Sequence, residues 1–257
     1  MSEPTCGDLT GLTAVVTGSS SGIGRAMALE LAAAGAACII HARKSQQQAK
    51  AVVEEICLLH GQATMLLADV GDLAGHAAFV DAAWQWRGAV DIWINNAGAD
   101  TLTGDAAEWS FDRKLQELWR VDVAGAMGLA REVGRRMKSR GSGVVINVGW
   151  DQAEHGMAGD SGELFAATKG AIMAFSKSLA RSLAPQVRVN CVAPGWIRTA
   201  WGEGASQYWQ QRAERESLLA RWGTPQDVAR AVRFLASPAA AFITGQILPV
   251  NGGLKPS

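Results

Sequence analysis

The chain has 257 residues, 48% hydrophobic and 19% charged, which excludes a disordered polypeptide and leaves enough apolar side chain for a sizeable core. Lys plus Arg and Asp plus Glu balance at 24 each, so charge gives no electrostatic case for nucleic acid or an anionic membrane as the main partner. Residues Met1-Ser2-Glu3-Pro4-Thr5-Cys6 carry no basic segment followed by an apolar stretch, and the apolar run over 26–40 is short and interrupted by Glu30 and Gly35. Cys6, Cys38, Cys57 and Cys191 are scattered without metal-ligand spacing. The expectation is a cytoplasmic chain with reduced thiols, no metal and no membrane attachment.

Leu12-Thr13-Ala14-Val15-Val16-Thr17 is a short β-branched run that predicts a buried parallel strand. A helical pattern over 23–34 stops at Gly35, and Ala37-Cys38-Ile39-Ile40-His41-Ala42 predicts the second strand. Helix over 46–60, strand over 63–68, helix over 73–86 and strand over 90–95 follow. One long helix is expected over 111–139, then a strand over 143–148, and a second long helix from 161 to the Ala184-Pro185 step. A strand over 187–192, a helix over 225–235 and a short strand near 247–250 complete the pattern. Strands alternating with helices predict an α/β fold: a single-domain, Rossmann-type, doubly wound parallel sheet with helices on both faces. There is no internal repeat or linker, so residues 1–257 are read as one domain, with a cofactor half over about 10–150 and substrate-side elements over about 150–257.

Thr17-Gly18-Ser19-Ser20-Ser21-Gly22-Ile23-Gly24 joins the first strand to the first helix. Its glycines allow a sharp turn and close backbone approach to a diphosphate, while the helix start presents free N–H groups and the positive end of its dipole. A carboxylate that would bind a ribose 2′-hydroxyl is expected about 20 residues on. The second strand instead ends His41-Ala42-Arg43-Lys44, where Arg43 and Lys44 can pair with a 2′-phosphate and Ser20 and Ser21 can add hydroxyl donors. This favours NADP(H) over NAD(H); the competing reading makes Arg43 and Lys44 an ordinary solvated loop.

With these residues the chain resembles the short-chain dehydrogenase/reductase family over nearly its whole length. Gly18, Gly22, Ile23 and Gly24 resemble its glycine motif, Asp69-Val70 its adenine-contacting pair, and Asn95-Asn96-Ala97-Gly98 the motif after the fourth strand. Pro194-Gly195-Trp196-Ile197-Arg198-Thr199 is similar to its Pro-Gly segment, which implies cofactor contacts from Pro194, Gly195, Ile197 and Thr199, with Thr199 reaching the nicotinamide side. Gly223-Thr224-Pro225-Gln226-Asp227-Val228-Ala229 and the segment from Thr244-Gly245 to Gly252-Gly253 resemble its C-terminal elements. The resemblance implies an oxidoreductase using a nicotinamide dinucleotide.

The family's reaction uses a Tyr that handles the proton at the substrate oxygen, a Lys four residues later, a Ser at a strand end and an Asn on the long helix. Lys169 is present, in the lysine's role of holding the ribose. Phe165 stands at the tyrosine place, Trp150 (or its neighbour Gly149) at the serine place, and Asp122 at the asparagine place. The interval from Trp150 to Phe165 is about two residues longer than the family pattern. His155, on the polar segment 151–156, is the candidate replacement acid/base, against the plainer reading of an exposed loop histidine. Asp160-Ser161-Gly162-Glu163 has the spacing of a capping box, and Tyr208 is expected to pack rather than react. Losing a general acid costs on the order of 10²–10⁴ in rate. A substrate needing no protonation at oxygen, such as an activated C=N or C=C bond, could still react.

Trp150, Trp196, Trp201 and Trp209 are expected near the nicotinamide end, forming an aromatic pocket for a small apolar or aromatic substrate, closing it, or packing at a subunit contact. Ala166, Ala167, Gly170, Ala171 and Ala174 allow close helix packing, and a homo-oligomer, as a tetramer, is expected. Two readings stand: an NADP(H)-dependent oxidoreductase with altered or weak carbonyl chemistry, and a catalytically silent NADP(H)-binding homologue acting as a sensor or non-catalytic partner.

Overall fold

The computed structural model describes residues 7–255. The reading of residues 1–6, Cys6 included, lies outside them. Among the described residues, seven strands form one sheet, ordered β3-β2-β1-β4-β5-β6-β7, and every strand pairing in it is parallel. They are β1 (Thr13–Val16), β2 (Ala37–Ala42), β3 (Ala63–Leu67), β4 (Ile92–Asn95), β5 (Gly143–Val148), β6 (Val187–Pro194) and β7 (Ile247–Val250).

Side chains alternate across each strand, so each face of the sheet needs its own cover. Ala14, Val16, Cys38 and Ile40 turn to one face, under Met27 and Leu31 of α1 (Gly22–Ala33), Val52 and Ile56 of α2 (Gln46–Leu58), and Val228 and Val232 of α9 (Pro225–Ala236). Val15, Ile39, Trp93 and Val145 turn to the other. There they meet Phe79 and Val80 of α3 (His76–Arg87), Leu129 and Val133 of α5 (Ala126–Arg140), and Leu179 and Leu183 of α6 (Asp160–Leu183). The doubly wound fold therefore follows from apolar strands with two buried faces. Strand order reverses between β1 and β4, and such a switch point opens a crevice at the carboxyl ends of the strands.

Three local expectations need correction. The long helix over 111–139 is broken: α4 (Phe111–Leu118) passes into a π-helical turn over Trp119–Gly125 before α5 begins. Gly125 sits so close to the Val70 carbonyl oxygen that any Cβ there would collide with it. The capping box at Asp160 does not form: the N-cap is Gly159 at φ +92°, without a side-chain cap. A capping box does form at α9, where Thr224 and Asp227 cap each other. The segment after Thr199, given no helices from sequence, forms α7 (Ala200–Gly204) and α8 (Gln207–Glu216). No helix among the described residues is long and apolar enough to cross a membrane.

Candidate cofactor cleft and active site

The turn after β1 is fixed by its own polar atoms. The Thr17 hydroxyl accepts from the N–H groups of Asn96 (2.9 Å) and Ala97 (3.0 Å), tying β1 to the segment after β4. The Asn96 side-chain amide donates to the carbonyls of Thr17 (2.9 Å) and Gly18 (3.2 Å), so it serves the turn itself. Gly18 and Gly22 have φ of +66° and +54°, a conformation that favours glycine. A Cβ on Gly24 would collide with the Gly18 carbonyl and the Asn96 amide. Nothing lies within 4 Å of the Cβ position at Gly22, and Ser21 places no side-chain cap on α1. The helix start is thus left open toward an anion.

His41, which sequence reasoning treated only as strand, locks this turn. Its Nδ1 accepts from the Gly18 N–H (2.9 Å), so Nε2 carries the proton and donates to the Ala68 carbonyl (3.1 Å). Burial pushes the imidazole down to about 4, so it is neutral at ordinary pH. The Ser19 hydroxyl adds a bond to the Val16 carbonyl (2.7 Å) and accepts from the His41 N–H (2.9 Å).

Beside the turn lies a cleft of ≈ 520 Å³. Of the predicted cofactor residues, Gly18, Ser20, Ser21, Ile23, Gly24, Arg43, Lys44, Asp69, Val70, Asn96, Ala97, Gly98 and Thr199 line it together. Gly22, Lys169, Pro194, Gly195 and Ile197 are outside that lining. Residues not foreseen are His41, Ala42, Ser45, Ala99, Asp100, Trp109, Glu117 and Val121. At the rim, Arg43 pairs with Glu117 (3.3 Å), Glu117 with Arg120 (2.8 Å), and Arg120 with Asp69 (3.1 Å). The Arg120 hydrogen bonds hold the Glu117 carboxyl below its usual value. For Asp69, burial pulls upward, but bonds from Arg120 and the Gly71 N–H outweigh it and the carboxyl also sits low.

The π-helical turn carries Asp122 to α6. Its Oδ2 lies 2.9 Å from Lys169 Nζ, and its Oδ1 accepts from the Ala99 N–H (2.8 Å). Asp122 is 2% exposed. Phe165 lies one helical turn before Lys169 on α6 and meets Trp150 edge-on, with ring centroids 6.3 Å apart. Next to Trp150, the buried Asp151 accepts from the Asn251 amide at Oδ2 (3.1 Å), while its Oδ1 has no partner. Burial pushes this carboxyl up to about 6. It was not singled out from sequence, where it reads as one more polar loop residue.

Trp196, Trp201 and Trp209 gather in a second aromatic group, joined by the unforeseen Trp222, with centroid distances from 5.5 to 6.4 Å. Arg212 lies against Trp209 (5.1 Å) and Trp196 (5.7 Å), and Glu216 accepts from the Trp196 indole N–H (2.8 Å). Trp150 pairs with Phe165 instead. Tyr208 is exposed and edges onto Trp209. His155 is exposed and lines a separate cleft with Gln152, Arg212, Glu216 and Lys255. Among the described residues, no three His, Cys, Asp or Glu side chains gather as metal ligands do.

The family profile described as "Enoyl-(Acyl carrier protein) reductase" matches residues 18–255. The 3-oxoacyl-[acyl-carrier-protein] reductase of Aquifex aeolicus is 35% identical, over 96% of this chain and 98% of its own length. The chain belongs to the short-chain dehydrogenase/reductase family. A 7α-hydroxysteroid dehydrogenase complexed with NADH superposes with a TM-score of 0.89 at 30% identity, covering 99% of this chain and 98% of the other. A gluconate 5-dehydrogenase from Burkholderia cenocepacia, complexed with NADP and tartrate, gives 0.87 at 32%, covering 97% of each chain. The chain is accordingly a short-chain dehydrogenase/reductase oxidoreductase, and its open helix start and glycine turn fit a nicotinamide dinucleotide.

Proposed function

We propose that this short-chain dehydrogenase/reductase is an NADP(H)-dependent oxidoreductase whose ordinary carbonyl chemistry is altered or weak. The observation that carries this reading is the Phe165–Trp150 contact one helical turn from Lys169, where the family pattern has a tyrosine and a serine. Phenylalanine offers no proton, and indole N–H is a donor only. When bound, the dinucleotide supplies or accepts hydride. The chain's own residues bind and orient it: the backbone N–H groups at the start of α1 face the diphosphate, and Arg43 and Lys44, with Ser20 and Ser21, face a 2′-phosphate.

Arg43 keeps donors free beyond its single contact with Glu117, and Lys44 is exposed, which supports the NADP(H) preference. Asp69 and Val70 are assigned to the adenine, and Ala97, Gly98, Pro194, Gly195, Ile197 and Thr199 to the nicotinamide half. The half-buried rings of Trp150 and Phe165 suit a small apolar or aromatic substrate. A C=N or C=C bond activated enough to need no proton at oxygen matches those rings. His155 stands apart at a different cleft, so it has no support as a replacement acid. The cofactor half is assigned to about 10–150 and the substrate-side elements to about 150–257. The small residues Ala167, Gly170, Ala171 and Ala174 on α6 fit assembly as a homotetramer.

The test pairs NADPH and NADH titrations with Phe165→Tyr, assayed on ketones, imines and enones. Expected are tighter NADPH binding, slow or no ketone reduction by the parent, and ketone reduction that needs the restored hydroxyl. Fast ketone turnover by the parent overturns the reading. Tight NADPH binding with no turnover on any substrate class selects the silent reading, which shares the Phe165–Trp150 observation with the first.

A further inference from the structure

The tyrosine place is not the only departure at this site, and the structure ties a second one to it. Lys169 is mostly buried, and its ammonium is in contact with the carboxylate of Asp122 at 2.9 Å. A buried ammonium needs a counter-charge. The neighbouring Cys191 cannot give one, because burial pushes its thiol up to about 12 despite the pull of Lys169. Asp122 is held to this task from three sides. The π-helical turn projects it toward α6, the Ala99 N–H fixes its other oxygen at 2.8 Å, and Gly98 lets the chain pass so close that a Cβ would lie 2.9 Å from Oδ2.

We propose that Asp122 is a positioning residue that neutralises Lys169, so that the lysine presents a closed ion pair rather than a free positive charge to position 165. Loss of the phenol at 165 and gain of a carboxylate at 122 are then one coupled change. A lysine that lowers a phenol's pKa does so by its unpaired charge. With Asp122 beside it, that charge is cancelled within one contact distance. A tyrosine restored alone at 165 would face a dipole and ionise as an ordinary phenol. This inference rests on the assignment of Phe165 and Lys169 to the reacting end of the site.

The test reads the phenol directly and needs neither cofactor nor substrate. The chain has one native tyrosine, Tyr208, which is exposed, so a Tyr208→Phe background leaves one phenol to titrate by its ultraviolet absorbance. In that background Phe165→Tyr is expected to ionise near the ordinary phenol value of about 10. Adding Asp122→Asn, which keeps an oxygen for the Ala99 N–H, is expected to lower that value by at least about one unit. Adding Lys169→Met to the triple variant should return it. If Asp122→Asn leaves the phenol unmoved while Lys169→Met raises it, the site assignment stands and the role of Asp122 is overturned. If neither moves it, both fail. A thermal-melt cycle in the otherwise native chain guards against misfolded variants. Asp122→Asn and Lys169→Met should each lower the melting temperature, and the double variant should recover at least half of the larger loss. Strictly additive losses would overturn the pairing.

Discussion

His41 makes the glycine turn sensitive to acid. The neutral ring accepts from Gly18 and donates to Ala68, and burial lowers its value from the ordinary 6.5 to about 4. The unfolded chain therefore takes up the proton first. The stability from neutral His41 is fully present above pH 6.5 and is lost as pH falls toward 4, at about 1.4 kcal/mol per unit, or about 3 kcal/mol in all. Between about pH 7.5 and about pH 5 the loss comes to roughly 2 kcal/mol. His41→Leu removes the titration and leaves the Gly18 N–H and Ala68 carbonyl unpartnered, at about 1–3 kcal/mol each. Denaturant unfolding of parent and variant across this range is the assay. The parent's advantage should be largest near neutrality and shrink by roughly 2 kcal/mol on acidification. An advantage constant with pH would refute the neutral, doubly bonded imidazole.

Asp151 should act in the opposite sense: its carboxyl rises from 3.8 to about 6, so its stabilisation is complete below 3.8 and lost as pH rises through 6. The parent should lose roughly 1.4 kcal/mol relative to Asp151→Asn between about pH 5 and about pH 8, by the same unfolding measurement; parallel curves would contradict the assignment. Glu117→Gln frees Arg43 from a half-exposed pair of the kind worth about 0.2–1 kcal/mol, so NADPH should bind roughly 1.4- to 5-fold tighter while NADH is unchanged. Equal effects on both nucleotides, measured by titration, would remove Arg43 from the 2′-phosphate. Gly24→Ala brings a Cβ against the Gly18 carbonyl and the Asn96 amide, so dinucleotide binding should fall at least about tenfold, the equivalent of about 1.4 kcal/mol. Unchanged binding would place the ligand elsewhere.

The sheet is legible in the sequence because its strands are apolar runs with two buried faces. The bounds of β2, β5 and β7 agree with those read from the chain alone. What the sequence hides is set by contacts between distant residues. The apolar pattern continues through residues 111–139, so nothing in it marks the π-helical turn, at whose end Gly125 packs against the Val70 carbonyl. Gly159 adopts positive φ and displaces the expected cap at Asp160. Most residues expected around the glycine turn do gather at the cleft, since they follow strand ends that the fold brings to one edge. Asp122 is legible in the sequence but its contact with Lys169 is not, and nothing there marks His41 or Glu117, whose partners Gly18 and Arg43 lie 23 and 74 positions away in the numbering. Trp222 joins the other tryptophans only because α7 and α8 fold back over the segment following β6.

On the proposed assignment, the cleft beside the glycine turn binds the dinucleotide and Phe165 takes the place of the proton donor. The most direct measurement is single-turnover oxidation of NADPH bound to the parent chain, mixed in turn with a ketone and with an activated imine or enone, beside Phe165→Tyr/Asp122→Asn. Expected are saturable NADPH binding and ketone reduction at least about 10²-fold slower in the parent than in the double variant. Ketone reduction as fast in the parent as in the double variant would contradict that assignment.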